Sequence, residues 1–158
     1  MKKNRLSGII GKVLKLGVLY STLALILTVS VQIFARFMLE NAPSWTEEAS
    51  RFFFVYAICF AAGLALKNNY YVSLDLIYDK LSYGGKSILD VIVSIVTLVL
   101  FVIMTIFSLS FIADGNMETS PSLSIPMSVV FVSLLIMFST ISYYSFLKVR
   151  KAIKALSV

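Results

Sequence analysis

The sequence contains no histidine and one cysteine, and its charged residues amount to only 14% of 158. The missing histidine removes the commonest general base and metal ligand. Cys59 lies alone inside an apolar run, so an internal disulfide, a CxxC redox pair and a thiolate zinc site are all excluded. It reads as a small packing residue. Charge is as informative in its placement as in its scarcity, because every long apolar run is free of ionisable residues at its centre. Proton relays and ion-coupling sites inside membranes usually need such a residue. A four-helix multidrug exporter would place a carboxylate in mid-helix, and a four-helix disulfide-forming enzyme would carry paired cysteines. With no Ser/His/Asp set, glycine-rich phosphate loop or paired carboxylates either, the sequence predicts neither an enzyme nor a cofactor site. The net charge of +6 does not point to nucleic acid, because the basic residues flank apolar runs rather than forming a stripe interleaved with aromatics.

What the chain does have is apolar length. Hydrophobic residues make up 59% of it, above the roughly 45–50% of soluble domains. Leu16 to Ala35 is uncharged for 20 residues, Val91 to Ala113 for 23 and Met127 to Leu147 for 21. Each run is long enough to cross a hydrocarbon core of about 30 Å. The basic start before Leu16 resembles a signal peptide, but the run is too long for an h-region and no small-x-small cleavage site follows. The uncharged run Phe52 to Leu66 has only 15 residues. Its helix extends into charged flanks at both ends, with Arg51 and Lys67 able to snorkel to the interfaces. These runs predict an all-α integral membrane protein. It forms one domain over 1–158, with four transmembrane helices at about 16–36, 45–67, 88–113 and 126–147.

The stretch between the first two spans is the most specific. Ser44-Trp-Thr-Glu47 reads as a capping box, with Ser44 and Glu47 each accepting the other's backbone N–H, and Pro43 blocking an earlier start. Glu47 and Glu48 fall in the first turn, where carboxylates favour the positive end of the helix dipole. Glu47 and Arg51 are four apart in the favourable order for an ion pair. Arg36, Glu40, Trp45, Glu47, Glu48 and Arg51 thus form a candidate network, either docking a partner or fixing the hairpin between spans one and two. Exposed ion pairs contribute about 0–1 kcal/mol, so Glu48→Gln is expected to leave folding nearly intact. Further along, Ala57, Ala61 and Ala65 with Gly63 beside them make a candidate helix-packing face of small residues.

From Asn68 to Asp90 the connector places Leu74, Ile77 and Leu81 on one helical face beside several tyrosines. This predicts a short interfacial helix ended by Gly84-Gly85, with Tyr71 and Asp75 as candidate interfacial residues. Ser94, Thr97, Thr105 and Ser108 share a face of the third span. Their hydroxyls either bond across helices or return to carbonyls of their own helix. Pro126 is suited to the first turn of the last span. Twelve of the fourteen Lys and Arg residues lie in the N-terminal segment, the middle connector and the C-terminal tail. By the positive-inside rule both termini and the interfacial helix are cytoplasmic.

Taken in order, these features resemble the small membrane subunit of a tripartite ATP-independent periplasmic (TRAP) transporter. The likeness is carried by Arg36 closing the first span and Trp45-Thr-Glu-Glu48 opening the second. It continues through Gly63-Leu-Ala-Leu-Lys67, Tyr71-Val-Ser-Leu-Asp75 and Ser120-Pro-Ser-Leu-Ser-Ile-Pro-Met127. It covers essentially the whole chain, although the family often has histidine where this chain has Tyr71. The resemblance implies residence in a bacterial inner membrane and two protein partners besides lipid. One is a large multi-span subunit holding the substrate and sodium sites, and the other is a periplasmic binding protein delivering an organic acid such as a C4-dicarboxylate or sialic acid. The small subunit would brace the former and help form the platform for the latter. A stand-alone oligomeric four-helix channel or exporter is the competing expectation, with the Ser94/Thr97/Thr105/Ser108 stripe as its one candidate pore lining.

Overall fold

A computed structural model describes residues 5–38, 43–68 and 83–156. These form four long helices: α1 (Arg5–Met38), α2 (Ser44–Lys67), α3 (Tyr83–Gly115) and α4 (Ser128–Leu156). Each contains a window long and apolar enough to cross a membrane. At 1.5 Å per residue the shortest, α2 with 24 residues, spans about 36 Å. The helices are longer than the uncharged runs because lysine and arginine are good helix formers. Thus α1 begins eleven residues before Leu16, and α4 continues through Lys148 to Lys154.

Two boundaries differ from the sequence expectation. Gly84-Gly85 does not end a helix but lies in the first turn of α3, and the long apolar run that follows outweighs glycine's poor propensity. Pro126 sits two residues ahead of α4 and pairs with Thr119 in an isolated antiparallel bridge. Its carbonyl accepts the Val129 N–H at 3.1 Å. The predicted interfacial helix, with Tyr71 and Asp75, lies outside the described residues.

The helices pack in a row, α1 on α2, α2 on α4 and α4 on α3. In the most apolar windows 28% of α4 residues are buried but only 6% of α3 residues, so α4 is an inner element and α3 an outer one. The seam of α2 is Cys59, Gly63 and Leu66, one face at i, i+4 and i+7. Gly63 sets the closest approach, since a β-carbon there would stand 2.5 Å from Thr140 Oγ1 and 3.2 Å from Leu14 Cδ1. One glycine thereby brings α1, α2 and α4 together. Leu14, Leu66, Ile141 and Tyr144 form the core beside it, and the Tyr144 hydroxyl donates to the Ser7 carbonyl at 3.3 Å. Deeper along the same interface the buried Cys59 thiol donates to Ser133 Oγ at 3.5 Å, in keeping with a packing role. The Tyr56 hydroxyl donates to the Val129 carbonyl at 2.5 Å, tying the start of α4 to α2.

Candidate functional site

The start of α2, the loop 116–127 and the ends of α1 and α3 lie together at one end of the molecule. Pro43 is the N-cap of α2, with φ −60° and ψ 129° and no side-chain cap. The capping box therefore does not form. With Pro43 in the cap position there is no N–H for a glutamate to accept, and Ser44 is already inside the helix. Thr46 bonds back instead, its N–H and hydroxyl both donating to the Pro43 carbonyl at 3.1 and 2.7 Å. Its side chain is fully buried, so the entry of α2 is anchored by a threonine that sequence reasoning passed over.

The two glutamates divide. Glu47 is paired with Arg51 on the helix surface, the side chains 61% and 72% exposed, which is the predicted i, i+4 pair. Glu48 takes part in no such pair among the described residues. Its Oε2 accepts the backbone N–H groups of Ser122 and Leu123 at 3.0 and 2.8 Å, holding the loop between α3 and α4 down on α2. That loop is itself a tight turn. The Ser120 N–H donates to Ile125 O at 2.9 Å and the Met127 N–H to Glu118 O at 2.9 Å. The buried Ser120 hydroxyl accepts the Ile125 N–H at 3.4 Å, and Ser124 adopts a left-handed φ of 53°. Gly115 closes it from below, where a β-carbon would stand 2.7 Å from the Ser128 nitrogen and 2.5 Å from the Phe131 ring. No sequence signal pointed to the Glu48 contact, because the partners are backbone groups more than seventy residues away.

Of the predicted network the structure brings Glu47 to Arg51 and sends Glu48 to the loop. Arg36, in the last turn of α1, joins neither glutamate among the described residues. Glu40 lies outside them. Trp45 is 44% exposed, and Phe37, Met38 and Met117 are more so. The result is a rim in which an ordered turn and a helix start present exposed aromatic, sulfur and charged side chains in one zone.

Ala57, Ala61 and Ala65 do not line the internal seam. Each is half-buried, and Phe54 and Ile58 on the same side of α2 are exposed. Gly63 belongs to the opposite, buried face, so the predicted small-residue face splits into an inner glycine and an outer alanine stripe. The hydroxyl stripe of α3 is mostly satisfied within its own helix. Thr97 donates to the Val93 carbonyl at 2.7 Å, Thr105 to Phe101 O at 2.7 Å and Ser108 to Thr105 O at 2.7 Å. Among the described residues of the stripe, Thr105 also reaches α4, at 3.4 Å from Ser142 Oγ. Hydroxyls spent on carbonyls of their own helix, with Ser108 buried, are poorly disposed to line a water-filled pore. Among the described residues no group of histidine, cysteine and acidic side chains is arranged to hold a metal ion.

Residues 25–155 match the family described as tripartite ATP-independent periplasmic transporters, DctQ component. A putative TRAP transporter small permease protein of Haemophilus influenzae is 26% identical over 127 residues, 78% of this chain and 76% of that protein. An isethionate TRAP transporter permease protein, DctMQ, of Oleidesulfovibrio alaskensis is 31% identical over 99 residues, 61% of this chain. The match spans 16% of that second protein's length.

Proposed function

The chain belongs to the DctQ component family of the tripartite ATP-independent periplasmic transporters, and from that premise we propose what this small permease subunit does within the assembly. It is a multi-pass protein of the bacterial inner membrane. It braces a large transport subunit, and its latched rim forms part of the platform on which a periplasmic substrate-binding protein lands. The large subunit carries the substrate and sodium sites, and this chain carries neither.

The observation that supports this most directly is the row of helices. Four spans in file, with few residues of α3 fully buried, offer long apolar flanks to another membrane protein. A transport subunit working alone would need an ionisable group within its spans, and the uncharged centres of these helices have none. The alanine stripe on the outer side of α2 allows a neighbouring helix to approach closely. The unmatched five-sixths of the relative named DctMQ has room for a large partner joined to the small subunit in one chain. Both termini and the connector between α2 and α3 face the cytoplasm, so the rim at Trp45 and Glu48 faces the periplasm. The substrate is a small organic anion. C4-dicarboxylates and sialic acid fit the resemblance, and isethionate is the substrate in the name of one relative.

The test is uptake by proteoliposomes holding the large subunit and the binding protein, with and without this chain. Uptake should depend on this chain, on the binding protein and on an inward sodium gradient. Full sodium-driven uptake without this chain would refute the bracing role.

A further inference from the structure

At the end opposite the rim, a groove of about 520 Å³ runs between α1 and α2, lined by Lys12, Lys15, Leu16, Val18, Leu19 and Leu64. Its walls are almost entirely apolar, and both of its charged residues are cations near one end. The pattern follows from the sequence. Lys12, Lys15, Leu16 and Leu19 recur at i, i+3, i+4 and i+7, so they form a single stripe along α1. Over that stripe the groove descends about 10 Å, from the ammonium groups to Leu19. A third cation stands at the same level. Lys67 lies across Gly11, so close that a β-carbon on that glycine would overlap its Nζ, and Gly11 is next to Lys12 in the chain. Among the described residues none of the three is held in an ion pair.

Lys12 and Lys15 line the groove and Lys67 Nζ lies over Gly11 on the neighbouring face of α1, so this end of the α1–α2 pair carries like charges that an anion would offset. Lys12 and Lys15 precede the uncharged run of α1 that begins at Leu16, and basic residues that flank a span reach the level of lipid headgroups. The groove continues from them into the hydrocarbon region with leucine and valine walls. A basic pocket between helices at the membrane surface is the form that anionic headgroup sites take, and here the acyl-chain track lies directly beneath it. We propose that this groove is a binding site for one anionic phospholipid, its phosphate held by Lys12 and Lys15 with Lys67 behind, and one acyl chain lying along Leu16, Leu19 and Leu64. The site binds the α1–α2 pair to the bilayer at the end of the molecule that the Glu48 latch does not reach.

The experiment is native mass spectrometry of the full chain in mild detergent, titrated with phosphatidylglycerol or with phosphatidylcholine of the same chains. The wild-type chain should retain one phosphatidylglycerol at least ten-fold more tightly than one phosphatidylcholine. Lys12→Gln with Lys15→Gln should abolish that preference, whereas Lys148→Gln with Lys151→Gln, which removes equal charge from the tail of α4, should keep it. Leu19→Trp, which fills the track and leaves the cations in place, should also weaken retention. Equal loss in both lysine pairs would reduce the effect to diffuse charge and overturn the site. Displacement of the lipid by millimolar inorganic phosphate would make the groove a site for a soluble anion, and occupation by a second copy would appear as a dimer. Either result refutes the proposal.

Discussion

Glu48 and Leu123 stand 75 residues apart in sequence and are joined by a 2.8 Å hydrogen bond from the Leu123 backbone N–H to the Glu48 carboxylate. The same oxygen accepts the Ser122 N–H, so one side chain fixes the loop between α3 and α4 onto the first turns of α2. Its neighbour Glu47 turns outward to Arg51. Adjacent acids therefore serve different ends, the inner one holding the rim together and the outer one presenting charge on its surface.

Replacing Glu48 by alanine removes both acceptor contacts and leaves two backbone donors to water. Hydrogen bonds to charged groups contribute about 1.5–3 kcal/mol each, and partial exposure lowers this, so Glu48→Ala should destabilise the chain by about 1–2 kcal/mol. Glu48→Gln retains an acceptor oxygen and should lose less. Thermal unfolding in detergent, with limited proteolysis of 116–127, checks this. If Glu48→Ala melts and is cleaved like the wild type, the latch contributes nothing.

Opposite faces of α2 should respond differently to added volume. A β-carbon on Gly63 would press on the Thr140 hydroxyl, which already donates to the Ile136 carbonyl. Gly63→Ala should therefore cost about 1–3 kcal/mol, the usual range for overpacking. Ala61→Leu, on the outer stripe, should leave the isolated chain as stable as the wild type. It should weaken co-purification with the large subunit more than Ile58→Leu does. Equal recovery of the large subunit by those two variants would show that the alanine stripe is not the contact.

The division between what was legible and what was not follows from range. The four spans could be read from the sequence because an apolar run of about twenty residues has few alternatives to a membrane helix. The Glu47–Arg51 pair was legible because helical spacing alone brings four-apart side chains together. The helix ends were less so, since charged flanks such as Arg5 to Lys15 and Lys148 to Lys154 carry no signal for leaving the helix. The capping box failed for a local reason: a proline at position 43 both starts the helix and lacks the N–H the motif needs. The row order and the Glu48 contact were beyond reach, because each depends on which helix faces which. In a chain apolar on every side, periodicity does not say so. Gly63 is legible as a small residue, but its buried neighbours Thr140 and Leu14 are not, for the same reason.

Orientation rests on the lysine and arginine count and is open to direct measurement. Reporters fused after Val158 or near Lys80 should be cytoplasmic, and reporters near Asn41 or Asn116 periplasmic. Alkaline phosphatase and fluorescent-protein fusions at the four positions decide the matter. A periplasmic C-terminus would reverse the molecule and place the rim on the wrong side for a periplasmic partner.

The outer pair offers the sharpest separation between holding the chain together and meeting a partner. Glu47 and Arg51 are both well exposed, and an i, i+4 pair of that kind contributes about 0.3–0.5 kcal/mol. Arg51→Gln should accordingly leave thermal stability and assembly with the large subunit unchanged. Charge across a protein interface acts more on the rate of encounter than on the strength of the complex, and salt screens it over about 8–10 Å. In reconstituted uptake titrated with binding protein, Arg51→Gln should therefore show a deficit at limiting binding protein that closes as the binding protein is raised. The gap between variant and wild type should also narrow at higher ionic strength, because screening weakens steering in the wild type. Wild-type uptake by Arg51→Gln at every binding-protein concentration would remove the arginine from the docking surface. A deficit that persists at saturating binding protein would place its role in the transport cycle after docking.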